Sequence, residues 1–310
     1  MIEFCGVWLE HPIINGSGTF DAIAARRAFG DALLADFPFS AFVSKTITLA
    51  PRAGNPPPRL WEAQAGMINS IGLPNRGLDG YLEHDLPQLA QLPVPLITNV
   101  MGSTQKEVAQ LVEAVDARAE VAAIELNVSC PNVSTGLDIG ADPVSLAALV
   151  RAVRPLTRKP LIVKLTPNTA DVAAVALAAE SEGANAVSLI NTLRAMAPQR
   201  RGGGSWLGGG TGGLSGPAIR SVALAQVAAV ARRVAIPVVG MGGVAHGTHA
   251  NDLISVGARL VAVGTENFRD PCAGARIASE LKSLQIERSP STSMKASEPR
   301  PEVDVNWADS

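Results

Sequence analysis

Between positions 125 and 132 the chain reads Glu-Leu-Asn-Val-Ser-Cys-Pro-Asn, which sets one thiol, Cys130, between the carboxamides of Asn127 and Asn132. A thiol can act as a general base or a nucleophile once it ionises, and carboxamides offer a planar polar ligand both a donor and an acceptor. The plain alternative for Cys130 is a buried structural cysteine. Two lysines, Lys45 in Ser-Lys-Thr and Lys164 in Val-Lys-Leu, either face a buried anion or acceptor or snorkel to water. Further on, Gly240-Met241-Gly242-Gly243 and Gly264-Thr265 would let backbone amides approach a phosphate closely, or would simply make tight turns.

These residues need a frame that brings them together. Residues 121–129 read as a strand whose alternation sends Ile124, Leu126 and Val128 to one face and Glu125, Asn127 and Ser129 to the other, with Pro131 ending it. Short apolar strands of this kind recur at 11–17, 41–47, 95–100, 121–129, 161–166, 186–192, 237–243 and 260–265. Alanine-rich helical stretches lie between most of them, such as 103–118, 142–158, 169–183 and 216–234. Ser103 is the expected N-cap of the first of these, and Ser215 or Gly216 can cap a helix begun by Pro217. Eight βα units are the count of a closed (β/α)8 TIM barrel, an α/β fold whose active site lies at the C-terminal ends of the strands. The polar residues collect there: Ser44-Lys45-Thr46, Thr98-Asn99, Asn127 to Cys130, Lys164 and Asn191-Thr192. Alternation places Lys164 with Ile162 and Thr166 on the inner face, opposite Leu161, Val163 and Leu165.

Two intervals, 48–92 and 193–213, exceed what one helix requires and are expected to be long βα loops over the C-terminal face of a single domain. Gly208, Gly210 and Gly213 formally satisfy a dinucleotide-binding pattern, but no strand precedes them and no acidic residue follows at the right distance. The expected division is a barrel domain over 1–288 and a polar, proline-bearing tail over 289–310 that is disordered.

Composition narrows the partners. The chain has 310 residues, 47% hydrophobic and 17% charged, with a net charge of -2, so it can bury a large core and has no electrostatic reason to bind nucleic acid or an anionic membrane. Cys5, Cys130 and Cys272 are far apart and odd in number, which suggests neither a disulfide framework nor a metal site and fits a reducing cytoplasm. No signal peptide or membrane span is expected.

Nine segments together carry a family resemblance. They are Asn-Gly-Ser-Gly at 15–18, Ser-Lys-Thr at 44–46, Gly-Asn-Pro-Pro-Pro-Arg at 54–59, Gly-Met-Ile-Asn-Ser-Ile-Gly-Leu-Pro-Asn at 66–75 and Glu-Leu-Asn-Val-Ser-Cys-Pro-Asn-Val at 125–133. Val-Lys-Leu-Thr-Pro-Asn at 163–168, Ile-Asn-Thr at 190–192, Gly-Gly-Leu-Ser-Gly-Pro-Ala-Ile at 212–219 and Gly-Met-Gly-Gly-Val at 240–244 complete the set. The chain resembles the class 1 dihydroorotate dehydrogenases over about residues 15 to 267.

The resemblance implies an FMN-binding barrel that oxidises (S)-dihydroorotate to orotate in pyrimidine (UMP) biosynthesis. By similarity, Cys130 is the general base for the C5 proton while the C6 hydride goes to flavin N5. Lys45, Asn69, Ser70, Ile71, Gly72, Leu73, Asn127, Asn191 and Thr192 match substrate-binding positions, and Asn132 is expected to join them. Lys45 is expected between flavin and substrate, and Lys164 against the N1/O2 side of the reduced flavin, where it favours negative charge. The remaining FMN positions are matched by Ser17, Thr46, Asn99, Ile190, Gly216, Gly242, Gly243, Gly264 and Thr265, with Asn127 shared. A lid over the substrate is expected across 131–141, with Gly136 and Gly140 as hinges.

The membrane-associated class carries serine where this chain has Cys130, and begins with an N-terminal extension. Within class 1, the segments at 54–59, 190–196 and 240–244 look most like the type 1B, NAD-linked catalytic subunit, although Pro74 stands where that subclass often has glutamine. Type 1B implies a homodimer joined to an FAD and [2Fe-2S] electron-transfer subunit as a heterotetramer. The alternatives are a fumarate-using type 1A enzyme, another FMN barrel such as a dihydropyrimidine dehydrogenase domain or a tRNA dihydrouridine synthase, a flavin-free Schiff-base lyase on Lys164, and a flavin-holding scaffold without catalysis.

Overall fold

The computed structural model describes residues 1–129, 139–199 and 203–288. Cys130, Asn132, Gly136 and the tail 289–310 lie outside the described residues.

The eight expected strands are all present, each shorter than its apolar run. They are β1 (Ile13–Asn15), β2 (Phe42–Val43), β3 (Leu96–Val100), β4 (Val121–Asn127), β5 (Leu161–Lys164), β6 (Ala186–Leu189), β7 (Val238–Met241) and β8 (Leu260–Val263). They form one parallel sheet in the order β1-β8-β7-β6-β5-β4-β3-β2, with helices between successive strands, as in the TIM barrel. β1 and β2 share no ladder, and the seam between them is closed mostly by side chains. The Asn15 carboxamide imitates a peptide group: Oδ1 accepts from Val43 N at 2.8 Å and Nδ2 donates to Val43 O at 2.8 Å. Just below, Ser40 N donates to Ile13 O at 3.0 Å.

The pleat divides the core in two. Leu161, Val163, Ile124, Leu126 and Val128 face outward into the large cluster shared with the helices, whereas Ile14, Val43, Ile97, Ala123, Ile162, Val239 and Leu260 fill the barrel interior. The lower opening is plugged by the hairpin Ile2–Phe4/Val7–Leu9, whose Phe4 and Leu9 join that inner cluster. Its two-residue turn, Cys5-Gly6, has φ 52° and 83°, the positive pair that a tight type I′ hairpin requires.

Helix starts are fixed by side-chain caps. Asp21, Asp142 and Asp171 accept from Ala24, Ser145 and Ala174 amides respectively. The helix Gln105–Asp116 is capped by Thr104, not by the expected Ser103. Thr104 Oγ1 accepts from Glu107 N at 3.2 Å, three residues on as an N-cap requires, while the Glu107 carboxylate reaches back to Ser103 N at 2.7 Å.

The two long intervals are more ordered than loops. They build a second, four-stranded antiparallel sheet in the order Leu193–Ala195, Gly212–Ser215, Gly66–Asn69, Leu60–Ala63. Ile68, Ala197 and Leu207 form its small core, with Trp61 and Trp206 in edge contact at 5.8 Å. The three glycines of the apparent dinucleotide pattern belong to this cap. A Cβ on Gly208 would lie 2.2 Å from Pro56 O, and one on Gly213 would lie 1.9 Å from Thr192 Oγ1.

Candidate active site

Every described residue expected at the site lies at the C-terminal end of a barrel strand or on the sheet above it. β1 and β2 continue into Ser17 and Ser44-Lys45-Thr46. Ser17 Oγ donates to Ser44 O at 2.7 Å and lies 3.4 Å from Thr46 Oγ1, to which Asn127 Nδ2 donates at 3.5 Å. One hydroxyl, Thr46, thereby ties together the ends of β1, β2 and β4. Lys45 is exposed beside Gly18 and lines the cavity at this mouth, whereas Lys164 is buried at 6% exposure, in register with Asn127 and Ser188. Lys164 therefore points into the barrel as its alternation predicts.

A polar layer spans the interior at this level. Asn99 is fully buried, its amide nitrogen bound to Glu125 at 2.5 Å, and its Oδ1 has no partner among the described residues. Asn191 Nδ2 donates to Ser129 Oγ at 2.8 Å, which joins the ends of β4 and β6, and Thr192 N donates to Asn191 Oδ1 at 2.8 Å. Asn168 donates to Thr192 O at 3.1 Å.

The stretch 69–73 descends from the upper sheet. Asn69 Nδ2 donates to Gly213 O at 3.2 Å, and the buried Ser70 donates to Thr211 O at 2.8 Å. Ile71 O accepts from Asn55 N at 3.0 Å; a Cβ on Gly72, at φ 72°, would lie 2.4 Å from that same nitrogen. Leu73 holds φ 53°, uncommon for a side-chain-bearing residue and found where function constrains the backbone. Asn75 Nδ2 fixes Leu73 O at 2.9 Å. Asn55 and Asn75 were not singled out by sequence reasoning, although both flank the loop within matched segments.

On the far side three positive-φ glycines converge: Gly216 (88°), Gly242 (131°) and Gly243 (68°). A Cβ on Gly243 would meet Gly216 O at 3.0 Å, and one on Gly242 would meet Ile190 Cγ1 at 3.3 Å. Thr265 Oγ1 donates to Ser215 Oγ at 2.8 Å, bringing the end of β8 to the same place, while a Cβ on Gly264 would meet only Thr19 at 3.9 Å. Gly216 caps the short turn Pro217–Ile219 through its backbone; Ser215 does not cap it. A cavity of about 360 Å³ opens beside β1 and β2, lined by Gly18, Ser44, Lys45, Thr46 and Tyr81 among others.

Of the expected lid, residues 139–141 are described. Gly140 donates to Val128 O at 2.9 Å and is buried with a prospective Cβ only 2.4 Å from Val128 Cγ2, so it is needed there for close packing.

A site of this kind can hold a planar heterocycle over the polar layer and a phosphate at the glycine cluster. The model of one family, dihydroorotate dehydrogenase, matches residues 1–284. The chain belongs to the dihydroorotate dehydrogenase family. Similarity to family members extends over nearly the whole chain. It is 43% identical over 289 residues to a Geobacter metallireducens protein, with 92% of each chain covered, and 44% identical over 285 residues to one from Geobacter sulfurreducens, with 91% of each covered. A Desulforudis audaxviator protein is 43% identical over 291 residues, covering 93% of this chain and 92% of its own. Each of the three is named dihydroorotate dehydrogenase B (NAD(+)), catalytic subunit. Family membership makes this chain an oxidoreductase of flavin type. The Asn99 Oδ1 and the room at Gly264 fit a bound flavin, because the first offers hydrogen-bonding capacity that the described residues do not use and the second leaves a close approach to the backbone open.

Proposed function

We propose that this chain oxidises (S)-dihydroorotate to orotate in pyrimidine biosynthesis as the catalytic subunit of a type 1B enzyme. The observation that carries the reading is the meeting, at one barrel mouth, of the 69–73 loop, Asn127, Asn191, Thr192 and the buried Lys164 in a chain 43% identical to relatives of that name. When bound, FMN supplies the two-electron acceptor for the substrate hydride.

The residues of the chain do the rest. Ser17, Thr46, Asn99, Ile190, Gly216, Gly242, Gly243, Gly264 and Thr265 hold the cofactor, the glycines by admitting phosphate to backbone amides. Asn69, Asn127, Asn132, Asn191 and Thr192 orient the substrate's amide edges, and Ser70, Ile71, Gly72 and Leu73 close on it from above. Lys45 reaches between substrate and flavin, and Lys164 supplies a buried positive charge where negative charge develops. Cys130 takes the C5 proton as general base.

The electrons then pass to NAD through a partner subunit carrying FAD and a [2Fe-2S] cluster, and the present catalytic chain forms the homodimer, in the cytoplasm. The relatives' names, with "NAD(+)" and "catalytic subunit", support the partner. No helix among the described residues is long and apolar enough to cross a membrane. Anaerobic addition of dihydroorotate to the purified yellow protein tests the reading: the flavin should bleach, and recolour with NAD only when the partner is present. Failure to bleach rejects the dehydrogenase; rapid recolouring by fumarate alone makes it type 1A.

A further inference from the structure

One buried ionisable side chain in the polar layer has no part in the chemistry above. Glu125 is 4% exposed on β4. Its Oε2 accepts from Asn99 Nδ2 at 2.5 Å and its Oε1 accepts from Ser188 Oγ at 2.7 Å, so the carboxylate bridges the barrel interior from β3 to β6. Carboxylates accept and do not donate, whereas a carboxamide can turn either way round. With Glu125 beneath it, the Asn99 amide must turn its NH2 group down. Its Oδ1 is thereby turned away from Glu125, where it is buried and has no partner among the described residues. The backbone of Asn99 is fixed as well, since its N–H donates to Ser44 Oγ at 3.0 Å. Any ligand that desolvates this oxygen must bring an N–H or O–H to it.

We propose that Glu125 is a positioning residue with two effects on the bound cofactor: it fixes the polarity of Asn99 so that the site selects a donor-bearing ligand, and it places a buried negative charge under the flavin that disfavours its reduction. The proposal rests on the assignment of FMN to this site. It gives the acidic residue of the 125–132 stretch a task separate from Cys130. A charge held in a low-dielectric layer acts over several ångströms with little screening, which makes the reduction potential the sensitive readout.

Glu125→Gln keeps the shape, removes the charge and can donate to Asn99, so the carboxamide is free to turn. FMN affinity, followed by flavin fluorescence, should fall about tenfold, the size of one hydrogen bond lost. At a fixed potential the ratio of reduced to oxidised flavin should rise at least about tenfold, a positive shift of about 30 mV for a two-electron couple. Reduced affinity and a lower melting temperature with an unchanged potential would mean a purely structural role and overturn the proposal. Should the glutamine variant fail to fold, Ser188→Ala keeps the carboxylate and frees one of its oxygens. Affinity for FMN should then drop several-fold, and wild-type affinity in Ser188→Ala refutes the positioning. A wild-type chain that binds no FMN rejects the functional reading and this inference together, whereas normal wild-type binding with an unaffected variant rejects the inference alone.

Discussion

Replacing Asn15 by leucine removes the carboxamide that closes the barrel seam while keeping the number and branching of its side-chain heavy atoms. Asn15 is fully buried, and its carboxamide satisfies both main-chain groups of Val43, itself 2% exposed. A third bond, from Nδ2 to Gly16 O at 3.2 Å, matters less, because Gly16 O also accepts from Thr19 Oγ1 at 2.7 Å. The loss is therefore the N–H and C=O of Val43, left buried without partners. At about 1–3 kcal/mol for each unmade group, the variant should lose about 2–6 kcal/mol. That is a large part of a total stability on the order of 5–15 kcal/mol. Guanidinium unfolding followed by circular dichroism should show a lower midpoint with an unchanged slope. Flavin binding should weaken in parallel, since Ser17 lies two residues beyond Asn15 and is tied to Ser44. A stability loss of less than about 1 kcal/mol, from the midpoint and slope, would refute the reasoning, for water would then replace the carboxamide at the seam.

Tyr81 is the only tyrosine in the chain, and burial pushes its phenol up to about 12 despite the hydrogen bond with Thr98. Because the folded value is raised, the associated stability is fully present below the ordinary value of 10.0 and is lost as pH rises through about 12. Phenolate absorbance should appear later in the native protein than in the denatured one; coincident titrations would disprove the burial. Gly213→Ala places a methyl 1.9 Å from Thr192 Oγ1 and 2.5 Å from Thr192 Cβ. It should cost about 1–3 kcal/mol of stability. It should also raise KM for dihydroorotate, and an unchanged KM would separate Thr192 from the substrate. Cys130→Ala should retain FMN and slow anaerobic flavin reduction by at least about a hundredfold; unaltered reduction removes Cys130 from the mechanism.

Much of the barrel was legible because its signals are local. The two-residue period of β4 and β5 separated Ile124 and Leu126 from Glu125 and Asn127, and Leu161 and Val163 from Lys164, and the structure keeps both separations. What escaped was tertiary. Gly212–Ser215 does not read as a strand, since glycine has no side chain to pack, and becomes one only by pairing with Gly66–Asn69. The seam at Asn15 was equally hidden, because nothing local distinguishes a carboxamide that joins two strands from one that meets a ligand. Thr104 is different: its spacing to Glu107 was in the sequence, and the preference for Ser103 overlooked it.

Below the polar layer the barrel is closed by Phe4 and Leu9, and outside it by the helix-facing cluster, so the hydrophobic stabilisation lies where the ligand does not. That separation lets the upper layer carry Asn99, Glu125, Lys164 and Ser188, groups that would be costly as the centre of a core. The two regions are still coupled by the pleat. Ile162 and Lys164 share a face two residues apart, and Glu125 pairs in register with Ile162. Enlarging Ile162 would therefore push on the polar layer directly, whereas an equal change at Leu161 or Val163 would push on the helices. Matched substitutions at these neighbouring positions should then differ far more in flavin affinity than in stability, a contrast that follows from strand alternation alone.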